Sequence, residues 1–94
     1  MKEIKLFYLE HCPYCVNARK ALDALLKEKP EYREIGIDWV EESRQRALAD
    51  SYDYYNVPTV FYGNRKLYEA RPGHSYEAIR ENRDRALQTV LSEG

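Results

Sequence analysis

The chain has 94 residues, 44% of them apolar, a net charge of -1 and no polar low-complexity tract, which suits one domain with one core over residues 1–94. Neither a basic stripe nor an acidic excess stands out, so nucleic acid and anionic membrane surfaces are not expected partners. Charge interleaves with apolar residues in Met1-Lys2-Glu3-Ile4-Lys5, which is no secretory h-region, and no apolar run is long enough to cross a bilayer, so a soluble cytoplasmic protein is expected.

Residues 4–9 are apolar except for Lys5 and suit a central strand covered on both faces. From Cys15 the apolar positions Ala18, Leu22, Leu25 and Leu26 step by three or four, which predicts an amphipathic helix over 13–29. Pro13 fits its first position, and Lys27, Lys29 and Pro30 fit its end. Residues 32–37 predict a second strand with Ile35 and Ile37 pointing inward. Asp38 and Glu41 then have the spacing of a capping box, so a second helix is expected from there to about Tyr52, with Val40, Ala47, Leu48, Ser51 and Tyr55 along one side.

After a loop over 53–56, the segments 59–62 and 65–71 suggest two strands joined at Gly63-Asn64, a dipeptide suited to a tight antiparallel hairpin. Beyond Pro72-Gly73, Ser75 can cap a last helix with Tyr76, Ile79, Ala86, Leu87, Val90 and Leu91 on one face. The order is βαβαββα with a right-handed, parallel first crossover, hence an α/β protein with a four-stranded mixed sheet flanked by three helices.

The two cysteines are separated by two residues, and a bridge closing so small a loop restricts the unfolded chain little. In a reducing compartment such a pair points to redox chemistry or metal binding. Only a thiolate attacks a disulfide, and a strand-to-helix junction, where unpaired N–H groups and the positive dipole end converge, favours negative charge on the Cys12 sulfur. Cys15, one turn later, begins the buried stripe, shielded from large substrates yet within reach of Cys12. Cys12 is therefore expected as nucleophile and Cys15 as resolving thiol, the two closing a redox-active disulfide.

His11, Cys12 and Cys15 make three possible zinc ligands where a structural site takes four, and His74 would have to arrive from across the fold, so no metal is expected. His11 is either an exposed loop residue or an imidazolium that aids the neighbouring sulfur. Trp39 fits a hydrophobic staple, and Tyr52, Tyr54 and Tyr55 fit either packing or an aromatic rim for a protein substrate.

Cys12-Pro13-Tyr14-Cys15 resembles the active site of dithiol glutaredoxins, and Val57-Pro58-Thr59 is similar to the cis-proline loop of thioredoxin-fold proteins. The resemblance implies a thioredoxin-like fold, with Pro58 cis beside the cysteines, Val57 backbone groups pairing with substrate backbone, and Tyr14 lining the groove where glutathione or a peptide approaches. It also implies disulfide-containing proteins and glutathione mixed disulfides as substrates, glutathione as reductant and no bound cofactor. The chain departs from the family pattern in two places. Across 68–75 a single glycine, Gly73, stands where glutaredoxins carry a Gly-Gly pair, and Leu9-Glu10-His11 precedes the cysteines where many members have a lysine; Arg44 or Arg71 could compensate. These departures keep open a thioredoxin reductase-type flavoenzyme as electron donor. A zinc or iron-sulfur binding module is the alternative of another class.

Overall fold

The computed structural model of the chain describes residues 2–71 and 73–93. Its elements in chain order are β1 (Glu3–Tyr8), α1 (Pro13–Glu28), a 3-10 turn (Pro30–Glu34), β2 (Gly36–Glu41), α2 (Arg46–Asp50), β3 (Thr59–Tyr62), β4 (Arg65–Glu69) and α3 (Tyr76–Ser92). The strands form one sheet in the order β2-β1-β3-β4. β1 pairs parallel with β2 and antiparallel with β3, and β3 pairs antiparallel with β4. The four-stranded mixed sheet with three helices expected from the element order is present, in the thioredoxin-like arrangement that the resemblance implies.

The apolar run of β1 is explained by burial on both faces. Ile4 and Leu6 join Leu22 and Leu25 of α1 and Leu87 and Val90 of α3 in the larger core. Phe7 points the other way, into a smaller core with Val40, Ala49 and Phe61. Tyr52 and Tyr54 enclose that second core, with ring centroids 5.0 and 4.9 Å from Phe7, so two of the clustered tyrosines are packing residues. Tyr55 alone of the three stands in solvent, 89% exposed.

The middle of the chain differs from the sequence expectation. Residues 38–41 continue the second strand instead of starting a helix, because Asp38, Trp39, Val40 and Glu41 pair with Lys5, Leu6, Phe7 and Tyr8. Asp38 accepts a cross-strand bond from Lys5 at 2.7 Å, and Glu41 accepts from the backbone and hydroxyl of Ser43 at 2.7 and 2.6 Å. The two carboxylates that match a capping box therefore serve a strand pair and a turn. Pairing with the buried central strand satisfies the backbone groups that face it along the whole segment, which outweighs a local cap worth about 1 kcal/mol. Tyr32 is likewise not in a strand: it sits in the 3-10 turn, fully buried, its hydroxyl donating to the Asp84 carboxylate. What remains of the second helix is five residues, with Ala49 buried and Ala47 exposed.

The hairpin and last helix follow expectation more closely. Gly63 has φ of 62°, the left-handed conformation the tight turn requires. β4 ends at Glu69, two residues earlier than the spacing suggests, and Pro72 of the expected Pro72-Gly73 break lies outside the described residues. The Ser75 hydroxyl caps α3 by accepting from the Ala78 N–H at 3.2 Å. No described helix is long and apolar enough to cross a membrane.

Candidate active site

The site forms where β1 runs out and α1 begins. Pro13 occupies the first helical position and leaves Cys12 as the N-cap residue in extended conformation. Its side chain makes no capping hydrogen bond with the first-turn amides, so the part-exposed sulfur remains available at the positive end of the helix dipole. Cys12 N–H donates to the Leu9 carbonyl at 3.3 Å, tying the nucleophile's backbone to the end of the strand.

Cys15 begins the buried face of α1 and is 7% exposed. Its sulfur accepts the Leu9 N–H at 3.5 Å. Burial pushes the thiol pKa up to about 12, the Leu9 amide and the Arg83 charge pulling the other way without prevailing. The pair is thus divided into an accessible sulfur and a shielded one, both free thiols here.

The loop before β3 meets this pair. The Val57–Pro58 peptide is cis, Pro58 is buried, and the Cys12 sulfur lies 3.9 Å from the Val57 carbonyl oxygen. The loop is clamped from β4: one Glu69 carboxylate oxygen accepts the Tyr55 and Asn56 N–H groups at 2.7 and 2.8 Å, and the other accepts Lys66 Nζ at 2.7 Å. Tyr14 spans the opposite rim, its hydroxyl accepting the Gly73 N–H at 2.8 Å. The structure therefore brings Cys12, Cys15, Val57 and Pro58 together and places Tyr14 as a strut between the α1 start and the loop before α3.

Other candidates fall elsewhere. His11 is exposed in the turn before Cys12. Among the described residues no three His, Cys, Asp or Glu side chains stand close enough to hold a metal ion. Trp39 is a strand residue, edge-on to Tyr8 and covered by the Arg19 guanidinium 4.6 Å from its ring centre. A cleft of about 390 Å³ lined by Leu9, Glu10, His11, Cys12, Glu41 and Ser43 opens beside the nucleophile, with Arg44 paired to Glu10 at 3.4 Å at its rim.

Two features of the site escape a reading of single motifs. One is the Glu69 clamp, whose partners are 13 and 14 residues away in sequence and carry no local signature. The other is Arg83, fully buried beneath the cysteines' helix. Its signal is positional, since 79, 83, 86, 87 and 90 share one face of α3 and a charge occupies the second of them.

The glutaredoxin family model matches residues 4–67, more than half of the chain and including both cysteines and Pro58. The chain belongs to the glutaredoxin family. The matched span ends one residue before the stretch 68–75 that departs from the family pattern. No curated protein sequence matches the chain. Among solved structures, one titled "Structure of a malarial protein" superposes with a TM-score of 0.64 at 16% identity, covering 95% of this chain and 96% of that one. A point-mutant thioredoxin from Halobacterium salinarum superposes with a TM-score of 0.55 at 18% identity, covering 84% and 68%. Human ERp44 in a zinc-bound form gives 0.58 at 20% identity over 89% of this chain, which spans 26% of that longer protein. At such identities these likenesses establish the thioredoxin fold alone. Family and fold together make this glutaredoxin a thiol oxidoreductase in general class, with its two cysteines side by side.

Proposed function

We propose that this glutaredoxin reduces protein disulfides and glutathione mixed disulfides in the cytoplasm, with Cys12 as nucleophile, Cys15 as resolving thiol and glutathione as reductant. The observation that carries the reading is the asymmetry of the pair: an accessible Cys12 at a helix start facing the cis-Pro58 loop, and a buried Cys15 whose thiol is held protonated. Cys12 attacks a substrate sulfur and forms a mixed disulfide; Cys15 or a second glutathione then attacks Cys12 and releases the reduced substrate. Val57, ahead of Pro58, offers backbone groups to an extended substrate strand, and Tyr14 borders the groove. The Arg44 partner offsets the Glu10 charge that would otherwise repel an anionic tripeptide, which favours glutathione.

A second electron donor has its own support. The loop before α3 carries only Gly73, with φ of 88°, and its N–H is occupied by Tyr14. A backbone donor is thus taken where a γ-glutamyl carboxylate would need one, which favours a thioredoxin reductase-type flavoenzyme. The test is reduction of a mixed disulfide with glutathione and its reductase, repeated with thioredoxin reductase, for wild type and Cys15→Ser. Glutathione-driven turnover that survives Cys15→Ser supports the first donor; turnover with the flavoenzyme alone supports the second; a fully active Cys12→Ser protein contradicts both.

A further inference from the structure

Arg83 lies near the middle of α3 with its side chain wholly withdrawn from solvent, and among the described residues no group accepts a hydrogen bond from its Nε, Nη1 or Nη2. Placing a guanidinium out of water without partners is costly, and such costs concentrate where a site uses the charge. Burial pulls its pKa down to about 10, which still leaves it a cation near neutrality. The titratable groups its charge reaches are Tyr68 on β4 and Cys15 on α1, the helix against which α3 packs. Tyr68 stays neutral there: burial raises its pKa, and its hydroxyl hydrogen-bonds His74 Nδ1 at 3.0 Å. Cys15, which accepts the Leu9 N–H and lies within electrostatic reach of Cys12 and Arg83, is the member of this set that can become an anion when the chemistry requires one.

We propose that Arg83 is a positioning residue for the resolving half-reaction, the buried counter-charge that stabilises the Cys15 thiolate; this rests on the roles of Cys12 and Cys15 given above. In that half-reaction Cys15 gives its proton to solvent and its sulfur electron pair forms the bond to Cys12. The bond between Cys12 and the substrate sulfur breaks, and the substrate leaves as a thiolate that takes a proton from water. The substrate sulfur is reduced and the cysteine pair is oxidised. Arg83 lacks an anion in the resting dithiol and gains one as Cys15 ionises, so the charge favours the reacting state over the ground state. In the reverse direction it stabilises Cys15 as the leaving thiolate.

The test uses 5,5′-dithiobis(2-nitrobenzoate) as substrate, because Cys12 attack releases one coloured thiolate and Cys15 resolution releases the second. Arg83→Met removes the charge at similar length, and Arg83→Lys keeps it. Each unit added to the Cys15 pKa lowers the thiolate fraction tenfold but raises nucleophilicity roughly threefold, leaving resolution about threefold slower. Arg83→Met is expected to keep the first phase within about twofold and to slow the second about three- to tenfold near neutral pH. Because the Cys15 thiol stays mostly protonated well above neutral pH, the deficit should persist across the near-neutral range while both rates rise with pH, with Arg83→Lys close to wild type. Losing an unpaired buried charge should leave the melting temperature unchanged or higher. Should Arg83→Met not fold, Arg83→Gln gives the same comparison. Equal second-phase rates in wild type and Arg83→Met, or equal slowing in Arg83→Lys, overturn the proposal. Absence of the first phase in wild type overturns the assignment of Cys12 itself.

Discussion

Replacing Glu69 by alanine should loosen the cis-Pro58 loop from a distance. The carboxylate makes two bonds to the Tyr55 and Asn56 N–H groups and one to Lys66, and its side chain is only 18% exposed. Hydrogen bonds to a charged acceptor contribute about 1.5–3 kcal/mol where water is excluded, but both amides lie in an exposed segment that water can reach, so about 1 kcal/mol each is the appropriate scale. The Lys66 pair adds little at the surface. A loss of about 2 kcal/mol corresponds to a fall in melting temperature on the order of 10 °C for a domain of this size. Thermal melts followed by circular dichroism measure this, and amide hydrogen exchange at Tyr55 and Asn56 locates it. On the proposed role of Val57 in holding substrate backbone, disulfide reduction should show KM rising more than kcat falls. A melting temperature within about 2 °C of wild type, with unchanged exchange at both amides, would refute the clamp.

Stability should fall in acid. Burial alone would raise the Asp84 carboxyl, but the Tyr32 hydroxyl and Lys29 ammonium outweigh it and hold it below the ordinary range. Glu69 is lowered in the same way against its burial, and Glu41 chiefly by the Ser43 hydroxyl. Folded values below unfolded ones mean stability that is complete above about pH 4 and lost as pH drops through the folded values; a melting temperature that rises between about pH 5 and 3 would contradict this. Tyr14→Phe should cost about 1 kcal/mol or less and speed exchange at Gly73 N–H while leaving most activity, since it removes only the hydroxyl strut; Tyr14→Ala should lose more activity if the ring borders the groove. Unchanged exchange at Gly73 in Tyr14→Phe would remove the strut from the site.

The parts of the fold legible in the sequence are those whose local pattern and tertiary surroundings agree. Pro13 at a helix start, the stripe through Ala18, Leu22 and Leu25, Gly63-Asn64 and the Ser75 cap each place an element close to where the structure has it. The failure at 38–52 has one cause: Asp38, Trp39 and Val40 carry a helix-start spacing but lie opposite β1, and parallel pairing is a long-range interaction with no local mark. At the site, Cys12, Cys15 and Pro58 were visible because their chemistry depends on short motifs. Glu69 and Arg83 were not, since a loop clamp and a buried, unpartnered charge are defined by what lies across the fold.

The central claim, that Cys12 attacks and Cys15 resolves, is tested most directly by trapping the intermediate. Cys15→Ser protein incubated with glutathione disulfide should give a stable one-to-one adduct that peptide mass spectrometry assigns to Cys12, while Cys12→Ser under the same conditions stays unmodified because its remaining thiol is buried and protonated. An adduct forming on Cys15 as fast as on Cys12, or none on Cys12, would contradict it.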